Sequence, residues 1–155
     1  MPNNKSTKPV LKSFSTIKEG CAAFGLKPEK RGWITLAGAR FDNAPHPDPT
    51  LRNAILWFPN TKSKHWNNVY NNGVIIETPK DETRNAAHVK KYTDNYELRI
   101  TFLKDKKDYC FVGVYDLDIV ETNKQNKCVW KRCLGTFSSD LHEIREYLTN
   151  NKQQL

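Results

Sequence analysis

The sequence predicts an α+β domain: a curled mixed or antiparallel β-sheet with a short N-terminal helix and a C-terminal capping helix. Three apolar runs predict the sheet. Residues 96–102 alternate between apolar and polar, the period of two expected of a strand with one buried face. The run from Tyr109 starts apolar on both faces, which is typical of a central strand. A third run around Trp130 completes a predicted β-meander, which the remaining strands extend into a small barrel.

Local features of the meander agree with this interpretation. The charged residues 105–108 interrupt the apolar pattern and predict a hairpin loop. Gly113 lies within the central strand, where a missing side chain predicts a bulge, a barrel bend or close approach by another backbone or a ligand. The polar residues 121–126 predict the connection to the third strand.

The N-terminal third of the chain predicts one helix and one strand. Thr16 and Glu19 form a capping-box pattern typical of a helix start, and Gly25 marks a helix end. We therefore expect a short helix between the capping box and Gly25. Three prolines restrict the loop that follows the first strand, and such loops often bind ligands. The predicted order is a flexible basic arm over 1–13, a helix over 16–24, a strand over 33–36 and an irregular loop over 41–49.

The rest of the chain predicts two more strands and a last helix. Asn72-Gly73 is a strong turn signal before the second of these strands. Asp140 and Glu143 form a capping pair before an amphipathic helix that should cover an open side or end of the barrel. The predicted elements are strands over 54–58 and 74–77, a helical turn or irregular excursion over 62–70, and a surface loop or weak helix around 85–90. We expect a single domain over 14–149 and a frayed tail over 150–155.

Composition favours a nucleic-acid partner. The 155-residue chain has a net charge of +8, and lysines and arginines bind phosphates with release of counterions. With 11% aromatic residues it is too aromatic for a disordered chain. No apolar run reaches the roughly 18 residues of a membrane span, and no apolar core follows the basic N-terminus. We therefore expect a cytoplasmic protein without membrane contact, monomeric by default.

The cysteines do not indicate a metal site. The four cysteines contain no CxxC pair, and Cys128 and Cys133 should face opposite sides of one strand. Buried reduced thiols are the expectation, with no metal and no cofactor.

Enzyme motifs are weak. The sequence lacks a Gly-rich phosphate loop and the usual zinc and nucleophile motifs. Asp116 and Asp118 alternate on one predicted strand and could share a cation or act as an acid pair. Glu77 with Lys80 loosely resembles the carboxylate–lysine set of metal-dependent nucleases, although the ExK spacing is absent. A nuclease is therefore an alternative rather than the leading interpretation.

The stretch 62–70 combines basic, aromatic and amide groups more densely than any other. Tryptophan and tyrosine rings offer flat partners on which a base can stack. Asn67 and Asn68 carry donors and acceptors suited to the edge of an extruded base. The structural alternative is that Trp66 and Tyr70 form a core-facing pair on a short helix.

These residues resemble those of a known family. His65-Trp66-Asn67 followed by Tyr109-Cys110-Phe111-Val112-Gly113 resembles the PUA-like barrel domains of bacterial modification-dependent restriction proteins, over residues 33–133. Trp130 matches their later tryptophan-containing strand. The resemblance implies a curled sheet that binds nucleic acid and often flips a base into an aromatic cage. It nominates Trp66, Asn67 and Tyr109, then Trp33 and Trp57. No attached nuclease or helicase domain is recognisable, so cleavage is not expected.

The combined prediction is a non-catalytic module that reads a base, modified or plain, in DNA in preference to RNA, linked to bacterial or phage restriction and defence. The predicted nucleic-acid-binding residues are Trp33, Trp57, Lys62, Lys64, His65, Trp66, Asn67, Tyr70, Lys90, Lys91 and Tyr109. A small protein-interaction or inhibitor module with a basic surface is the first alternative.

Overall fold

The computed structural model describes residues 13–37, 45–95, 97–134 and 141–151. These ranges contain eight strands and four helices. The strands are β1 (Ser13–Phe14), β2 (Trp33–Thr35), β3 (Ala54–Trp57), β4 (Trp66–Asn71), β5 (Val74–Pro79), β6 (Leu98–Lys104), β7 (Tyr109–Leu117) and β8 (Cys128–Leu134). The helices are α1 (Ile17–Ala23), α2 (Asn85–Asp94), α3 (Ile119–Gln125) and α4 (Leu141–Asn151).

The strands form one curled, mixed sheet, which confirms the predicted fold class. Their order is β2-β3-β6-β7-β8-β5-β4, and β1 pairs with β7. The pairing of β3 with β6 is parallel and the other strand pairs are antiparallel. Strands β6, β7 and β8 form the predicted meander. Within the described ranges β2 and β4 do not pair with each other, so the barrel is open.

A long crossover joins the two parallel strands. Residues 58–97 leave the end of β3, form β4, β5 and α2, and return to β6. Strands β4 and β5 add to β8 at the far end of the sheet, while β6 pairs with β3. This connection brings its own residues back over one face of the sheet.

Glycine and asparagine shape the two predicted irregularities. Gly113 has a φ of 123°, and the register of β6 against β7 shifts between Thr101 and Phe102, which is the bulge that the sequence predicts. Asn72 and Gly73 have φ values of 51° and 82°, the positive pair that a tight two-residue hairpin turn requires.

Two sequence interpretations are corrected. The polar connection 121–126 is part of helix α3, because the Asp118 side chain accepts a hydrogen bond from the Glu121 amide and caps it. Asp118 therefore lies beyond the end of β7 and does not share its strand with Asp116. The segment around Trp66 is strand β4 rather than a helical turn. Its alternation was hidden because a polar residue, Asn68, occupies a buried position.

The other predicted elements agree with the structure. Thr16 and Glu19 make the capping box of α1, and helix α2 extends the weak helix expected around residues 85–90. Cys21 and Cys128 are buried, but Cys110 is exposed, contrary to the expectation of buried thiols. Among the described helices none is long and apolar enough to cross a membrane. The predictions that lie outside the described residues are the arm up to residue 12, the loop over 41–44, Tyr96, the Asp140 cap and the tail from residue 152.

Two side-chain clusters lie on opposite faces of the sheet. The first, here the apolar core, is covered by α1 and α4 and includes Leu98, Ile100 and Phe102 of β6. The second, here the aromatic cluster, lies under α2 and includes Trp57, Tyr92, Tyr115 and Trp130. The face that carries the aromatic cluster is also the face that opens to solvent as a cleft.

Candidate nucleic-acid site

A cleft of about 1040 Å³ opens between the sheet and helix α2. Aromatic side chains form much of its wall, and polar and basic side chains complete it. The aromatic residues of the wall are Trp33, Trp57, Phe58, Trp66 and Tyr92. Asn60, Ser63, Asn68, Glu77 and His88 add neutral or acidic groups, and Arg31, Arg84, Lys91 and His65 add basic ones.

Strand β4 presents alternate side chains to the cleft. Trp66 and Asn68 line it, whereas Asn67 between them is exposed, as the period of two requires. The amide nitrogen of Asn68 donates to the backbone carbonyl of Asn60 at 3.1 Å. Because a carbonyl can only accept, this bond fixes the orientation of the amide. The amide oxygen of Asn68 is buried and has no hydrogen-bond partner among the described residues.

A buried guanidinium lies beneath the cleft. The Arg99 side chain is fully buried, with its guanidinium carbon 3.8 Å from the ring centre of Trp130, 4.4 Å from that of Trp57 and 4.7 Å from that of Tyr92. Its Nε donates to Glu97 at 2.7 Å, and its Nη1 lies 3.4 Å from Glu77. Arg99 therefore pairs with two carboxylates inside an aromatic enclosure.

These carboxylates connect Arg99 to the two walls of the cleft. Glu97 accepts a hydrogen bond from the indole of Trp33 at 3.1 Å. Glu77 contacts the Nε2 atom of His88 at 3.0 Å. His88 in turn packs between Trp66 and Tyr92, with ring centres 4.8 and 4.9 Å away. One ionic network thus supports the aromatic residues on both sides.

The protonation of Glu77 follows from this network. Burial raises the pKa of its carboxyl group, but Arg99, His88 and the Trp130 indole, which donates at 3.0 Å, outweigh burial. The net effect places the pKa of Glu77 below its ordinary value of 4.5. Glu77 is therefore an anion at neutral pH although it is buried.

The structure brings some of the predicted site residues together. Trp33, Trp57, His65, Trp66 and Lys91 line the cleft. The Lys91 ammonium lies over the rings of Trp33 and Tyr92, 5.6 and 5.2 Å from their centres.

The other predicted residues lie elsewhere. Lys62 and Lys64 are exposed in the loop that leads into β4, and Lys90 pairs with Asp94 on the surface of α2. The Tyr70 hydroxyl accepts from Arg132 at 3.0 Å, beyond the lining residues. Tyr109 is buried in the apolar core against Phe58, on the opposite face of the sheet.

Sequence reasoning did not nominate three residues of the cleft and its floor: His88, Tyr92 and Arg99. It offered Asn68 beside Asn67 for the edge of a base, and it offered Glu77 only for a metal-dependent nuclease. Arg99 occupies a polar position of an alternating strand, which ordinarily predicts exposure. A charged residue flanked by a carboxylate two positions earlier, Glu97, was the available signal. The residues of β3, β5 and α2 that contact Arg99 are distant from it in the sequence and gave no such signal.

The open, curled sheet with its aromatic cleft, buried acceptor and basic edge agrees with the PUA-like domain that the sequence resemblance implies. Residues 13–139 match the family model of the SET and RING associated (SRA) domain, and the chain belongs to this family. SRA domains bind DNA and read modified bases by flipping them out of the helix, so this chain is a DNA-binding module of the base-reading class.

A solved structure extends the comparison. The 5-hydroxymethylcytosine-specific restriction enzyme AbaSI is similar to this chain, with a TM-score of 0.57 and 26% sequence identity. The likeness covers 79% of this chain and 38% of that one, so the chain spans well under half of the enzyme. It supports the predicted link to modification-dependent restriction. No curated protein matches the sequence.

Proposed function

We propose that the cleft accepts one base, extruded from duplex DNA, and recognises it as a modified cytosine. The observation that carries the proposal is the buried, unpaired amide oxygen of Asn68 within a cleft walled by aromatic rings. The volume of about 1040 Å³ compares with about 300–1,000 Å³ for typical small-ligand sites. A base and its sugar therefore fit.

The recognition argument rests on unsatisfied hydrogen-bonding capacity. A buried acceptor without a partner costs about 1–3 kcal/mol, so a ligand that supplies a donor is favoured. The exocyclic amine of cytosine is such a donor, whereas thymine and uracil present a carbonyl oxygen at that position. The likeness to an enzyme specific for 5-hydroxymethylcytosine supports a cytosine that carries a substituent.

Stacking and phosphate contacts complete the proposed complex. Trp66 is half-buried at the wall of the cleft, where its indole can stack on the extruded base. Lys62 and Lys64 precede this wall, and Lys91 lies at the cleft on the other side, next to Lys90 on α2. In the proposed complex these ammonium groups contact the phosphates that flank the base.

The domain itself acts as a reader and does not cut DNA. Of the Asp116–Asp118 pair offered for catalysis, Asp118 lies beyond the end of β7, where it caps α3 and lies 3.7 Å from Lys131. In the proposal, cleavage belongs to a separate domain or subunit of a cytoplasmic restriction system, and this chain delivers the base preference.

Fluorescence anisotropy with matched duplexes tests the proposal. A duplex with one central 5-hydroxymethylcytosine should bind more tightly than the same duplex with 5-hydroxymethyluracil, by roughly tenfold, because uracil presents a carbonyl oxygen to Asn68 where cytosine presents its exocyclic amine. Equal affinity for the two duplexes would remove the role of Asn68.

Trp66→Ala tests the stacking role. The substitution should weaken binding to the modified duplex by roughly 5- to 140-fold, the equivalent of about 1–3 kcal/mol of base stacking. Val69→Ala is the matched control, because Val69 lies on the same strand but is 58% exposed on its outer face. Both variants should keep the thermal midpoint within a few degrees. A large loss of stability in Trp66→Ala would instead assign Trp66 to the core.

A further inference from the structure

Three side chains with metal-ligand atoms meet at the edge of the cleft. Glu77 of β5 and Cys128 of β8 are directly opposite each other in the antiparallel pair, and His88 of α2 covers them. One ligand atom from each residue lies within 4.8 Å of the other two. Among the residues that the structure describes, this is the group of histidine, cysteine and acidic side chains with the spacing of a metal site.

The geometry is close to that of a tetrahedral zinc site. Zinc–ligand bonds of about 2.0–2.3 Å place neighbouring ligand atoms roughly 3.3–3.7 Å apart. Glu77 and His88 already approach within 3.0 Å. Because the three ligand atoms lie within 4.8 Å of one another, zinc binding requires a shift of about 1 Å at most.

Charge provides an independent reason for a cation here. The two carboxylates Glu77 and Glu97 surround one guanidinium, Arg99, so the carboxylates of the group outnumber its guanidinium. A divalent cation that binds Cys128 as a thiolate adds a net positive charge beside these carboxylates. Buried carboxylates are costly unless they are paired with or coordinate a cation.

The thiol is otherwise hard to ionise. Burial, and then the negative charge of Glu77, raise the pKa of Cys128 to about 12. A bound cation reverses this effect, because a thiol that coordinates zinc is deprotonated outright. Metal binding here should therefore release a proton.

We propose that Glu77, His88 and Cys128 form a site for a thiophilic divalent cation, zinc in the first instance, with a fourth position open towards the cleft that Glu77 and His88 line. A mixed sulfur, nitrogen and oxygen ligand set suits zinc and disfavours magnesium. The ion replaces the hydrogen bond between Glu77 and His88. The site itself does not depend on the proposed function.

Metal titration of tag-free protein tests the site without reference to DNA. Competition with a chromogenic chelator should show one equivalent of Zn²⁺ bound, and Cd²⁺ should give a thiolate-to-metal charge-transfer band in the ultraviolet. Cys128→Ser should weaken Zn²⁺ binding by about 100-fold and abolish the band. Cys133→Ser, on the same strand but packed towards the apolar core, and Cys110→Ser, an exposed thiol, are the matched controls.

The outcomes separate clearly. One equivalent of metal with a thiolate band that survives in both control variants supports the site. Absence of stoichiometric Zn²⁺ binding by the wild type, or unchanged affinity in Cys128→Ser, overturns it. Loss of the band in Cys110→Ser also overturns it, because the exposed thiol would then be the ligand. The wild-type Cd²⁺ spectrum and its Zn²⁺ stoichiometry remain decisive even where Cys128→Ser folds poorly.

Discussion

Both faces of strand β6 are buried, but one carries apolar side chains and the other carries polar and charged ones. One face contributes Leu98, Ile100 and Phe102, all fully buried, to the apolar core. The other face is equally buried but carries Arg99 and Thr101. A sheet strand with an apolar and an exposed polar face needs no further explanation, but a strand with a buried charged face does. The comparison separates residues that stabilise the fold from residues that organise the cleft.

The charged face is costly to build. Taking a guanidinium and two carboxylates out of water carries a desolvation penalty that the ion pairs only partly offset, and an apolar replacement of the whole set is often as stable. The structure keeps the network at the position where it orients Trp33 and His88. Stability alone does not explain Arg99, whereas preorganisation of the aromatic walls does.

The largest expected effect comes from removing the cation alone. Arg99→Met leaves Glu77 and Glu97 buried without their partner, and we expect a loss of about 5 kcal/mol in the free energy of unfolding. Urea denaturation at neutral pH measures it. Arg99→Lys is the comparison variant: it keeps the charge but loses the paired geometry, so it should recover only part of the stability and little DNA affinity. A fully stable Arg99→Met that still binds DNA would contradict the network.

The apolar face gives the next largest effect, of a different kind. Phe102 packs against Phe14, Phe24, Phe58 and Phe111, and Phe102→Ala should cost about 4 kcal/mol through the cavity that it leaves. The folded fraction of Phe102→Ala should still bind modified DNA like the wild type. An affinity loss measured at a temperature where the variant is fully folded would show that the two faces are not separable.

A smaller effect should appear in the pH dependence of stability. Because the pKa of Glu77 lies below 4.5 in the folded protein, its contribution is present above about pH 4.5 and is lost as pH falls through the folded pKa. Glu77→Gln should therefore show a flatter fall of Tm between about pH 6 and about pH 3 than the wild type. Glu82→Gln, which removes an exposed carboxyl outside the network, should follow the wild-type curve closely.

Substituting exposed lysines should have the smallest effect on stability but a clear effect on DNA binding. Lys62→Gln with Lys64→Gln removes two exposed charges next to the cleft, so Tm should stay unchanged. The slope of log affinity against log salt should become shallower by about 2 if both lysines contact phosphates. Lys124→Gln with Lys127→Gln, near the end of α3, is the control. Equal slopes in the two double variants would show that Lys62 and Lys64 contact no phosphate.

Most of the fold was predictable because its signals are local. The capping box of α1, the Asn72-Gly73 turn and the alternation through β6 all depend on neighbouring residues. The β4 and α3 assignments failed because local polarity suggested irregular structure. In β4 tertiary packing overrode that signal, whereas in α3 a local cap did. Asn68 is buried by its bond to Asn60, and the exposed α3 is fixed at its start by Asp118.

Only part of the site could be predicted from the sequence. Aromatic residues of the cleft such as Trp66 were accessible from composition and from the resemblance. The ionic network was not, because Arg99 of β6 and Glu77 of β5 have β7 and β8 between them in the sheet and meet only where the sheet curls. The choice between Asn67 and Asn68 required the strand register, since a shift of one residue exchanges the two faces.

The crossover between the parallel strands has an evolutionary consequence. Residues 58–97 supply most of the cleft as one uninterrupted stretch of chain, whereas α1 adds only Ile17 to its lining and the described parts of the meander and α4 add none. Recombination or mutation confined to residues 58–97 can change which nucleobase the domain prefers while the rest of the fold stays the same. Exchanging residues 58–97 between related domains is then a direct way to transfer a base preference. The recipient domain must keep the Arg99 guanidinium, against which this segment packs.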